Sequence, residues 1–335
     1  MEVLAPVYGL TDAADSTRRL VAAGVDGVFT FEGPHDVFLP LALAAAACPG
    51  TALMTNVAIA FPRNAVHLAH AAWDLHELSG GRFTLGLGTQ VRTHVERRFG
   101  EEFDRPADRM REAVGAVRAV FRSWQHGEPL RFDGEFRRHT LMTPMFSPQP
   151  SPHGPPRIAV GGLGPRMCAV AAESADLLAV MPVTSERFFV ERTLPAVAEG
   201  LARRPPGFGP FEVLPELIVS CGRDDAEQAS ADAGCRALLG FYASTPAYRP
   251  VLDHEGFGDL QPAAQQLTRE GRWDELTGLV PDELLALVCV RGTPAEVAAT
   301  VARRYRRHSS RICAYLPYDV PDGLWGELVD ALHAA

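Results

Sequence analysis

Short apolar runs with strand character alternate with helix-like runs along almost the whole chain, and this alternation restricts the fold more than any single motif does. Residues 3–7 read as a first strand, 14–23 as a helix stopped by Gly24, and 27–31 as a second strand. A helix then opens at Pro40, whose missing N–H is no loss in a first turn. A third strand over 52–60, a helix over 65–78 and a fourth strand over 83–87 follow. Units this closely spaced predict parallel strands joined by right-handed crossovers. Farther on, Met110, Val114, Val117, Val120, Phe121 and Trp124 recur at helical spacing. Residues 127–156 hold seven prolines, carry a hairpin signal at 132–136, and read as an insertion.

Alternation resumes at residue 157 with a strand, a glycine loop and a helix that opens at Pro165. Strands over 177–180, 212–220 and 311–315 follow, with helices over 185–203, 226–241, 281–287, 294–306 and 324–333, and an irregular region over 244–280. Eight strands in all predict an α/β fold: one (β/α)8 TIM barrel spanning 1–335, with insertions near 127–156 and 244–280. In such a barrel the ligands lie at the C-terminal ends of the strands. A doubly wound open sheet has the same periodicity and is the competing architecture.

Composition removes whole classes of chemistry. All 32 basic residues are Arg, so a pyridoxal-phosphate Schiff base, a lysine-type aldolase, a P-loop NTPase and a protein kinase are excluded for want of a Lys amine. A net charge of -9 argues against nucleic-acid binding. The six cysteines form no Cys-x-x-Cys and are expected to be buried free thiols. No run of eighteen apolar residues is present to span a membrane, and no basic segment precedes the first apolar residues, so the expected compartment is the cytoplasm.

Polar and glycine-rich groups cluster where the strands should end. Gly86 and Gly88 would let backbone come near a ligand, with Thr89 and Gln90 beside them. The turn Gly161-Gly162-Leu163-Gly164, ahead of a helix start, has the flexible backbone and free N–H groups of a phosphate site. After strand two, Glu32 and His35 are candidates for proton transfer, whereas Asp36 reads as a helix cap. Asn56, a polar group in an apolar strand, must find a partner or face a ligand. Arg92, Arg97, Arg98, Arg105, Arg109 and Arg111 alternate with acids and read as a solvated ion-pair surface, with His94 a further ligand candidate there. His67, His70 and His76 read as a polar outer stripe, and no metal is expected. Phe132, Met142, Met145 and Phe146 are candidates for a substrate wall.

Five longer strings stand out: Glu32-Gly-Pro-His-Asp-Val-Phe-Leu-Pro-Leu41, Leu78-Ser-Gly-Gly-Arg-Phe-Thr-Leu-Gly-Leu-Gly-Thr-Gln-Val91, His94-Val-Glu-Arg-Arg-Phe-Gly100, Gly164-Pro-Arg-Met167 and Phe241-Tyr-Ala-Ser-Thr-Pro-Ala-Tyr-Arg-Pro-Val-Leu252. Together they resemble the luciferase-like monooxygenase superfamily, in particular its coenzyme F420-dependent oxidoreductases. The resemblance implies a barrel with F420 in its mouth and hydride transfer between the deazaflavin C5 and a small organic substrate. It implies phosphate contacts at Gly161, Gly162, Leu163 and Gly164, ring contacts near Gly88, Thr89 and His94, and a nonprolyl cis peptide at Asn56–Val57 behind the ring. Glu32 or His35 would be the proton partner. An FMN-dependent monooxygenase and a noncatalytic flavin-binding barrel are the alternatives, and a homodimer is the implied assembly.

Overall fold

The computed structural model describes residues 1–335. Its eight barrel strands are β1 (Glu2–Pro6), β2 (Gly27–Thr30), β3 (Ala52–Thr55), β4 (Phe83–Gly88), β5 (Arg157–Gly162), β6 (Leu177–Val180), β7 (Glu212–Cys221) and β8 (Arg311–Tyr315). Every neighbouring pair is parallel, and β8 returns to β1, so the sheet closes into a barrel. Closure rules out the open doubly wound sheet. A short strand, Val290–Gly292, which the sequence reading lacks, extends the sheet beside Val219–Cys221 of β7.

Strand side chains alternate between two cores. Outward residues pack with the helices in a cluster of 62 buried residues, including Val3, Val28, Leu53, Leu85 and Val160. Inward residues form a separate cluster of nine: Leu4, Phe29, Met54, Ala159, Leu177, Ala179, Leu214, Cys313 and Tyr315. Burial on both faces explains why β2, β3 and β6 read as continuous apolar runs. Charged groups seal the floor of the lumen: Glu212 accepts from Arg157 and Arg311 at 3.1 and 2.7 Å. Because β6 separates β5 from β7, the Arg157–Glu212 contact reaches past a whole strand, which places Glu212 on the inward face.

The third strand is broken where the sequence predicts one continuous element. Leu53 pairs with Phe83, but Ala58 pairs with Leu87, so β3 carries one extra residue across the break. The break is at Asn56–Val57, whose peptide is cis. Thr55 bridges the gap, its Oγ1 donating to the Gly86 carbonyl and accepting from the Gly86 N–H, each at 2.8 Å.

Both insertions differ from expectation. Residues 127–156 contain the expected hairpin, Phe132–Asp133 with Arg138–His139, but the segment runs along the outside of the helix Pro106–His126. Glu112 of that helix accepts three backbone N–H groups of the turn, from Glu135, Phe136 and Arg137. Met142 lies against Trp124 (Nε1 to Sδ 3.3 Å), while Met145 and Phe146 are exposed, so these side chains do not wall the mouth. Arg137 reaches the rim, donating to the carbonyls of Ala60 and Arg63. The 244–280 region is not irregular but helical, in short pieces such as Arg249–Glu255 and Leu260–Arg269. Prolines at the starts and a glycine at φ 86° after the first piece cut the pattern too finely for periodicity to register. Together with the helix Asp225–Ala243 this region packs on Val183 and Ile218, beside the upper end of the barrel.

Candidate active site

Val57 occupies the rim where β3 breaks. A Cβ placed on Gly88 would lie 2.3 Å from Val57 Cγ2, and one on Gly161 would lie 3.2 Å from Val57 Cγ1. The side chain therefore rests across the ends of β4 and β5 as an apolar shelf, half-open to the mouth. Packing requires glycine at both positions of the first pair: a Cβ on Gly88 would run into Val57, and one on Gly86 would stand 1.9 Å from the Thr55 carbonyl oxygen.

The second glycine turn behaves differently. Gly164 has nothing within 4 Å of a would-be Cβ, is exposed, and is the N-cap of the ten-residue helix Pro165–Ser174. Free space, first-turn N–H groups and the positive end of a helix dipole make this a cradle suited to a phosphate. Gly162 and Leu163 are buried behind it and Gly161 borders the Val57 shelf. Thr89 and Gln90 are half-buried at the end of β4, where Gln90 takes φ 60° and its Oε1 accepts the Val91 N–H. His94 is exposed on the short helix Arg92–Arg97. The surrounding arginines are largely paired, Arg92 with Glu96, Arg105 with Glu135 and Arg109 with Asp104, as the sequence pattern indicates.

After β2, the two candidate proton-transfer groups part company. Glu32 is clamped: Arg63 donates to both its oxygens at 2.7 and 2.9 Å, and the Ile59 N–H to Oε2 at 3.2 Å. This carboxylate ties the second loop to the strand-three break. His35 is exposed at the rim. Asp36 is the cap that its position indicates, its Oδ1 accepting from the N–H groups of Phe38 and Leu39. The histidines of the helix Ala65–Leu78 do not form a polar stripe, since His70 lies against Trp124 and His76 is buried.

The sequence reading passes over the group with the most unusual surroundings. Glu216 is on β7, 4% exposed, four residues and hence two pleats above Glu212 on the inward face. Tyr315 Oη donates to its Oε2 at 3.4 Å. From β3, on the far side of the barrel, the Asn56 carboxamide faces it, although neither Oδ1 nor Nδ2 of Asn56 makes a hydrogen bond of normal length. Burial pushes the Glu216 carboxyl up to about 8, and the approach of Asn56 and Tyr315 only partly opposes this. The available signal was the Glu itself, a charged residue inside the run Val213-Leu-Pro-Glu-Leu-Ile-Val219 of a strand buried on both faces.

An apolar shelf, an open glycine turn at a helix start, and a buried acid with an orphaned amide thus meet at one end of the barrel. Comparison with known proteins finds relatives over most of the chain. Protein Rv1360 of Mycobacterium tuberculosis, which is uncharacterized, is 44% identical over 295 residues, covering 88% of this chain and 87% of its own. The 5,10-methylenetetrahydromethanopterin reductase of Archaeoglobus fulgidus is 25% identical over 253 residues, covering 74% and 72%. Among solved structures, the coenzyme F420-dependent tetrahydromethanopterin reductase of Methanopyrus kandleri superposes with a TM-score of 0.78 at 17% identity, covering 98% of this chain and 97% of that one. The profile of the luciferase-like monooxygenase family matches residues 3–310, and this chain belongs to that family of oxidoreductases.

Proposed function

We propose that this protein is a coenzyme F420-dependent oxidoreductase that moves a hydride between the deazaflavin and a small organic substrate in the barrel mouth. The observation that carries the reading is the pairing of the Val57 shelf with the open Gly164 cradle on adjacent strand ends, a fit for a flat ring joined to a phosphate. The reductase name of the Archaeoglobus relative favours hydride transfer over oxygen activation.

When bound, F420 supplies a two-electron hydride carrier at C5 of its ring. The chain supplies position and protons. Gly161, Gly162, Leu163 and Gly164 would hold the phosphate with backbone N–H groups, Val57 would back the ring, and Asn56, Thr89 and His94 would border it. His35 is the rim group free to exchange a proton, because Glu32 is committed to Arg63.

The second reading, an FMN-dependent monooxygenase, is favoured by the description of the family itself. A binding titration with F420 and with FMN, followed by fluorescence quenching, separates the two. Preference for F420 supports hydride transfer; preference for FMN overturns it. Failure of both to bind would show that the Gly161–Gly164 assignment is wrong.

A further inference from the structure

A carboxyl group retained only to brace a barrel is expected to resemble Glu212, which has two guanidinium partners. Glu216 has none. Its hydrogen-bond partner is the Tyr315 hydroxyl on β8, and the uncharged Asn56 amide faces it from across the barrel. Its charge also bears on Tyr242 and Tyr248 of the helical region beside the mouth and on the Cys313 thiol of β8. Burial raises the Tyr242, Tyr248 and Tyr315 phenols, with the Glu216 carboxyl adding to each, so all keep their protons at neutral pH. Tyr242 and Tyr248 lie edge to face at 5.3 Å, and Tyr8, 53% exposed, meets Phe31 at the rim. One hydroxyl, that of Tyr315, therefore touches the buried acid, while the Asn56 amide beside the acid has no partner of its own.

Resting on the hydride-transfer reading, we propose that Glu216 is a neutral acid that holds the reaction's proton and delivers it, through the Tyr315 hydroxyl, to the heteroatom of a carbonyl or imine substrate. The balance is simple. The carbon of the C=O or C=N group gains hydride from the reduced deazaflavin, the π pair moves to oxygen or nitrogen, and that atom takes the Tyr315 proton. Tyr315 recovers a proton from Glu216, which becomes a carboxylate and is reprotonated from solvent through the same hydroxyl. The cofactor is left oxidised by loss of a hydride, and the substrate has gained that hydride and one proton, two electrons and two protons in all. Glu216 acts through Tyr315 and is therefore a positioning residue.

Infrared spectroscopy of the cofactor-free protein tests this without turnover. Wild type should show a protonated carboxyl band at pH 6.5 that fades through about pH 8 and is missing in Glu216→Gln. Transfer into D2O should shift the band promptly, and Tyr315→Phe should slow that shift by about tenfold or more, because a hydroxyl is removed from the path. No band at pH 6.5, or exchange equally fast in Tyr315→Phe, overturns the proposal. F420 titration of the same samples is the independent arm. F420 binding without the band sinks the proton store alone, whereas the band without F420 binding sinks the hydride-transfer reading and the delivery step with it.

Discussion

Glu212 and Glu216 project into the same lumen from one strand, four residues apart, and their surroundings push the two carboxyl groups in opposite directions. Burial pushes both upward. At the floor the Arg311 and Arg157 guanidiniums more than offset this and hold Glu212 below the usual carboxylate range. Near the mouth nothing cationic answers, and Glu216 rises to about 8.

The first prediction concerns stability against pH. A folded pKa above the unfolded one means that the native state binds the extra proton between the two values, so stability falls as pH rises toward about 8 and is flat beyond it. Urea unfolding of wild type at pH 6.5 and pH 9 should therefore differ by roughly 2 kcal/mol from this group. Glu216→Gln should remove that difference. An unchanged pH dependence in the variant would mean that Glu216 is already ionised in the fold.

Arg63 should matter more than its rim position implies. It makes two bonds to Glu32, whose side chain is 9% exposed, and a third to the Ile59 carbonyl. Arg63→Ala leaves that carboxylate without its guanidinium and should cost about 2–3 kcal/mol. Arg18→Ala, which breaks the exposed pair with Asp15, should cost below about 0.5 kcal/mol. Equal losses in chemical denaturation would contradict the clamp.

The two glycine sites should respond in opposite ways to one methyl group. Gly88→Ala drives a Cβ into Val57 and should destabilise by about 2 kcal/mol. Gly164→Ala enters open space on an extended backbone, so its melting temperature should stay near wild type. Its F420 affinity should nonetheless drop by about tenfold, because the methyl fills space that the phosphate would need in order to reach the first-turn N–H groups. A Gly164→Ala protein that binds F420 as wild type does would remove the cradle from the site.

Thiol accessibility checks the core. Of the six free cysteines only Cys48 is half-buried. Burial pushes the Cys168 and Cys221 thiols up to about 12, which denies them thiolate as well as access. A chromogenic disulfide reagent should titrate one thiol in the native protein and six after denaturation. Rapid reaction of a second thiol would show that the barrel packing is looser than described.

What the sequence by itself determined is what depends on local periodicity and local chemistry. The eight strands follow from short apolar runs, the Asp36 cap from a side chain two residues ahead of a helix, the hairpin at 132–139 from a glycine turn, and the paired arginines from alternating charge. Resemblance of longer strings added the family and the cis bond at Asn56–Val57. Only the tertiary structure decided what each polar or glycine residue faces. Gly86 and Gly88 must be glycine because Thr55 and Val57 stand in the space a side chain would need, a contact between segments that no local pattern shows. Glu32 looks like a free acid until Arg63, 31 positions away, closes on it. Glu212 and Glu216 are the same residue type on the same face, and no local pattern tells them apart. The difference between them is made by Arg157, Arg311, Asn56 and Tyr315, brought together when the barrel closes. A carboxyl group's charge depends on solvent and partners within a few ångströms, and closure alone assigns those.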